Sequence, residues 1–274
     1  MLGKCIKNEI VNRYKPICLA YIVLLIYSPI FYLLKPVMRN VNNTYIGMFI
    51  GLIMVAYGLV VFGNIILILI YPMVDFRNRV FKDQGYLTNT LPVKTSTMMI
   101  GRLIVDLLTY ISAGIVIPFA ICLSEMDFGI YKDLIHSLFD LIGYITTDVT
   151  YVWILTLVIL VLVTILAGML LSQWMFNAAY AFGHAFSNHK RVMSIIGMVI
   201  LYLLFQMLSV LLLWFLSETG IMEGVRTEMV NYVTYPDIEG INRFLGVISI
   251  FEVLATAGLV AITSWLTKNK LNLE

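Results

Sequence analysis

The chain has 274 residues, 61% hydrophobic and 12% charged, where a soluble globular domain carries roughly 25% charge. That balance excludes a water-soluble fold, and a net charge of +2 gives no reason to expect a nucleic-acid partner. The cysteines Cys5, Cys18 and Cys122 are odd in number and lack ligand-like spacing, so neither a disulfide framework nor a metal site follows.

At the start, residues 1–15 place Leu2, Cys5, Ile6, Ile10 and Tyr14 along one helical face, with Lys4, Lys7 and Arg13 elsewhere. The pattern predicts a short helix in the membrane interface, its basic groups near anionic headgroups. Residues 17–36 are the first of six apolar stretches long enough to cross a bilayer core, which takes about 18 residues or more. The first stretch is long for a signal peptide, and the following "LLKPVMRN" offers no cleavage site, so the segment is expected to remain in the protein.

The second span, 46–74, contains Gly47 and Gly51 at the spacing that lets helices approach closely in lipid; Gly58 and Gly63 continue a small-residue lining. Asn64 adds a polar group there and is a candidate for a transport pathway. After the polar segment 75–96 comes the third span, 97–123, entered through Lys94, Thr95 and Ser96, the last two with hydroxyls that suit a helix N-terminus. Arg102 and Asp106 are one helical turn apart in it, and a mutual ion pair is the expectation.

The outer segment 124–148 repeats Leu134, Ile135, Leu138, Phe139, Ile142 and Ile145 with charges between, the pattern of an amphipathic surface helix. Spans four and five occupy 149–176 and 192–217. The outer segment 218–243 is expected to hold one or two short helices, and the sixth span covers 244–267. Glu252 lies within it with no basic neighbour at helical spacing. An ionisable group at that depth is costly, and either a structural hydrogen bond or a transport pathway explains it.

The fold class is therefore an all-α polytopic membrane protein of six spans with an N-terminal interfacial helix, forming a single transmembrane domain over 1–274. With six spans, one side of the membrane receives thirteen of the 18 Lys and Arg residues. By the positive-inside rule that side is cytoplasmic and holds both termini. Trp153 and Trp214 then fall near outer span ends, and Trp174 and Trp265 near inner ones, where amphipathic rings favour the interface; simple apolar packing explains each equally well.

No His-Glu-x-x-His helix, Gly-x-Ser-x-Gly elbow or phosphate-binding loop occurs, so no catalytic constellation is expected in the chain. The distinctive stretch is "GYLTNTLPV", residues 85–93, preceded by charged "DFRNRVFKDQ" and followed by Gly101-Arg102-Leu103. Pro92 biases Leu91 away from helix, and a connection of this length and chemistry exceeds what joining two helices needs.

This segment resembles the cytoplasmic loop of ABC-2 type permeases, the membrane subunits of ATP-binding-cassette exporters. Their pattern is a charged stretch, Gly-Tyr/x-Leu-x-x-Thr-Leu-Pro-Val and a basic residue one turn into the next span; Asn89 and Arg102 depart from the commoner apolar residue and lysine. The resemblance implies a coupling helix that docks on a separate ATPase subunit. It gives Arg77, Arg79, Lys82, Asp83, Gln84, Gly85, Tyr86 and Leu87 an interface role, with Thr90, Leu91 and Pro92 fixing the turn behind them. It further implies ATP and Mg bound by that partner, a second permease copy or related permease, and export of a hydrophobic or amphipathic substrate. The alternative is a proton-coupled secondary transporter using Glu252 or Asp106.

Overall fold

The computed structural model describes residues 2–40, 44–81, 94–125, 132–133, 136, 149–186, 188–220 and 238–269. Among them run six long helices: α1 (Leu2–Asn40), α2 (Thr44–Val80), α3 (Thr95–Glu125), α4 (Val149–Gly183), α5 (Lys190–Glu218) and α6 (Ile238–Asn269). All six are long and apolar enough to cross a membrane. Helix is the form such sequences take in lipid, because it satisfies every backbone N–H and C=O within the segment. The chain is thus an all-α, multi-pass membrane protein.

The expected interfacial helix is not a separate element. Residues 2–14 are helical, but they continue into the first span as one 39-residue helix that accommodates Pro16, Pro29 and Pro36. At about 1.5 Å per residue such a helix exceeds the bilayer core. Arg13, expected among headgroups, is buried, as is Glu9, because this face of α1 packs on α3. Of the amphipathic helix expected around residues 134–145 all but residue 136, and most of the outer segment 218–243, lie outside the described residues.

The chain divides into two compact units, Met1–Val74 with Gly101–Ser137, and Asp75–Ile100 with Leu138–Glu274. In the first unit α1 and α3 run parallel, since their contacts advance together along both. The Arg13 guanidinium reaches Asp106, Tyr21 Oη lies 3.0 Å from Ser112 Oγ and Lys35 pairs with Glu125. The core cluster is Leu24, Tyr57 and Ala120, one residue from each of α1, α2 and α3. Tyr57 Oη donates to the Ala120 carbonyl at 3.3 Å, and its ring lies 4.4 Å from that of Phe31.

Gly51, Gly58 and Gly63 of the α2 small-residue lining bring no helices together among the described residues. A Cβ at Gly51, Gly58 or Gly63 would meet nothing within 4 Å, and Met48, Leu52, Val55 and Leu59 nearby are all exposed. Close approach needs a second helix, and Gly51, Gly58 and Gly63 meet none among the described residues.

In the second unit α4 packs along both α5 and α6. The α4–α5 turn is tight: a Cβ on Gly183 would stand 2.6 Å from the Lys190 carbonyl and 2.7 Å from the Ser194 amide. Farther along, Phe205 of α5 stacks on Phe251 of α6 at 5.6 Å. Asn242 Nδ2 donates to the Trp153 carbonyl at 2.8 Å, tying the start of α6 to the start of α4.

Candidate functional site

The N-terminal turns of α1 and α3 carry the densest buried charge among the described residues. Glu9 and Arg13 are one turn apart on α1, Arg102 and Asp106 one turn apart on α3, and all four are buried. The expected Arg102–Asp106 pair is replaced by pairs between helices. Arg13 Nη1 donates to Asp106 Oδ1, while Arg102 Nε lies 3.1 Å from Glu9 Oε1 and Arg13 Nε 3.7 Å from Glu9 Oε2. Charges alternate along this chain of four and sum to zero, which is how buried ions are tolerated. Gly101 keeps the helices close here, because its added Cβ would already lie 3.4 Å from Cys5 Cβ. Two matching i, i+4 pairs were the signal for this network, legible only by reading α1 and α3 together.

Asp106 is thereby committed to an arginine, a side chain that stays protonated in proteins, and it is badly placed to carry protons. Glu252 differs. Its Oε1 lies 3.4 Å from the place a Cβ on Gly168 would occupy, so a glycine on α4 makes room for the carboxyl of α6. Buried Oε2 has no hydrogen-bond partner among the described residues. Asn64 is buried on α2, where Nδ2 donates to the Val60 carbonyl at 2.9 Å and Oδ1 accepts nothing among the described residues. Asn64 belongs to the first unit and Glu252 to the second.

Of the segment resembling a coupling loop, Lys82, Asp83, Gln84, Gly85, Tyr86, Leu87, Thr90, Leu91 and Pro92 lie outside the described residues. What leads into it is well defined. The last turn of α2 is helical through Val80, and Phe76, Val80 and Phe81 are buried. Phe76 meets Trp174 of α4 edge-on at 6.2 Å, and Phe81 lies 4.4 Å from the ring of His184 just beyond α4. Arg77 stands over the Tyr180 ring at 5.6 Å, and Arg79 pairs with Asp75 at 2.7 Å. Aromatic contacts at such distances add roughly 0.5–1.5 kcal/mol each beyond area burial.

Trp174, expected near an interface, is fully buried and serves this packing, whereas Trp214 and Trp265 are exposed. Trp174 and His184 were not singled out by sequence as parts of the site, since aromatic residues in an apolar helix carry no positional signal. No protein-family model, curated protein or solved structure matches the chain.

Proposed function

We propose that the chain is the membrane-spanning permease subunit of an ABC exporter in the cell membrane, with both termini cytoplasmic. A separate ATPase subunit would bind ATP and Mg and push on residues 75–96. The observation that carries this reading is the packed end of α2. A push arriving at Phe81 meets aromatic rings on and just beyond α4 rather than a frayed helix end, so displacement passes directly into the helix that packs on both α5 and α6. Because interiors are close-packed, such contacts transmit rigid shifts.

The exposed small-residue face of α2 suits a second copy or a related permease, as does a six-helix chain in a family of twelve-helix assemblies. The substrate is hydrophobic or amphipathic, moved between the two permease halves without catalysis by this chain. The test is co-purification in mild detergent followed by reconstitution of the complex. An ATPase subunit that co-purifies, and transport requiring its ATP hydrolysis, supports the assignment; transport by the chain alone refutes it.

The second reading, proton-coupled transport, is favoured by one observation: Glu252 Oε2 is buried without a donor among the described residues. It requires transport driven by a proton gradient alone.

A further inference from the structure

Beside the packed end of α2, α4 and α5 line an open pocket of about 780 Å³, within the range of roughly 300–1,000 Å³ typical of small-molecule sites. Its lining is split in character. At the turn stand Arg77, Lys190 and Arg191, with His184 beside them, and no carboxylate is among the lining residues described. Below them the wall is apolar: Phe176 on α4, and Ile195, Met198 and Val199 on α5.

The geometry is preformed. Gly183 brings the end of α4 against the backbone of α5's first turn, and a Cβ on Gly197 would stand 2.7 Å from Phe182, so the two helices are in close contact here. Arg77 is held over the Tyr180 ring. Helix α5 starts here, and its N-cap residue His189, at φ 56°, makes no side-chain cap. The first amides of a helix and its dipole favour an anion, and here they coincide with three cations. Arg191, Ile195 and Val199 follow one another at i, i+4 along one face of α5. Ile195 and Val199 are 66% and 52% exposed, so the apolar wall opens onto the flank of a helix immersed in lipid.

We propose that this pocket binds an anionic phospholipid, its phosphate between Arg77, Lys190 and Arg191 and its acyl chains along Phe176, Ile195 and Val199. Basic pockets between membrane helices take such headgroups. A free phosphate shares the headgroup chemistry but has no use for the apolar wall, which is why the lipid is the occupant. The site stands on the geometry of α2, α4 and α5 and does not depend on the transport reading.

The purified full chain, delipidated in mild detergent, is titrated with dioleoyl phosphatidylglycerol and with dioleoyl phosphatidylcholine, and bound lipid is counted by native mass spectrometry. Phosphatidylglycerol should bind the more tightly, and Arg191→Gln should weaken it about fivefold, the effect of one charge near a lipid headgroup, while Arg191→Lys retains it. Arg191 is exposed, so its replacement leaves the packing intact. Ile195→Asn should weaken phosphatidylglycerol without changing binding of inorganic phosphate. Equal affinity for the two lipids overturns the proposal in the unmodified protein. Displacement of phosphatidylglycerol by stoichiometric inorganic phosphate overturns it as well, and identifies a site for the free anion.

Discussion

The Arg13 guanidinium donates to the Asp106 carboxylate across 93 positions of sequence, with both groups nearly inaccessible. Removing one member of a buried pair leaves the other uncompensated, at about 3–5 kcal/mol. Arg13→Met and Asp106→Leu should each lower the thermal unfolding temperature in detergent substantially. The double variant Arg13→Met/Asp106→Leu should recover most of that loss, because Glu9 and Arg102 remain as a neutral pair. A double variant as unstable as the sum of the singles would show that the contact is not a coupled pair.

Phe81 tests the transmission from α2 into α4. Phe81→Ala removes the ring stacked near His184 and opens a cavity, a change of about 3–5 kcal/mol in a well-packed core. If a partner ATPase drives the chain, the variant reconstituted with that ATPase should keep ATP hydrolysis while substrate transport falls at least tenfold. Membrane insertion should be unaltered, because the position lies past the apolar span. Full transport by the variant would remove the packed helix end from the mechanism.

Gly183 permits the α4–α5 turn. Gly183→Ala would drive a methyl group into the Lys190 carbonyl and the Ser194 amide, costing about 3 kcal/mol through overpacking. Trypsin sensitivity after Lys190 and Arg191 should rise with the substitution. Unchanged cleavage and melting would mean the turn has room that its geometry denies.

Glu252 separates the two readings of function. Glu252→Gln preserves size and removes the charge, so a permease driven by a partner ATPase should keep its transport rate within about twofold, an effect below 0.5 kcal/mol. A proton-coupled carrier should lose gradient-driven transport altogether. Gly168→Leu adds an independent check by forcing the carboxyl out of its place on α4, and should lower stability whichever reading holds.

The spans were legible because an apolar run of sufficient length has one stable form in lipid. The residues joining helices were not. Arg102 and Asp106 matched a familiar i, i+4 pattern, yet each is paired across to α1, since burial rewards cross-helix charge matching that a one-helix pattern cannot register. Gly51, Gly58 and Gly63 matched a helix-packing spacing but meet no helix among the described residues, because spacing states the shape of a surface and not what covers it. Trp174 was read as a candidate for the interface and is in the packing around α2; an indole suits either place, and only its neighbours decide. The motif from Asp83 to Pro92 remains a matter of sequence resemblance, while the helix end that presents it is a matter of structure.

The parallel pairing of α1 with α3 also sets an order of events during synthesis. Asp106 leaves the ribosome 93 residues after Arg13, which at about 5–20 residues per second is a delay of roughly 5–20 s. For that interval Glu9 and Arg13 have only each other and the membrane surface. The contact between α1 and α3 is therefore completed only after α2 and the opening turns of α3 have been made, and no carboxylate of α3 is there for Arg13 before then.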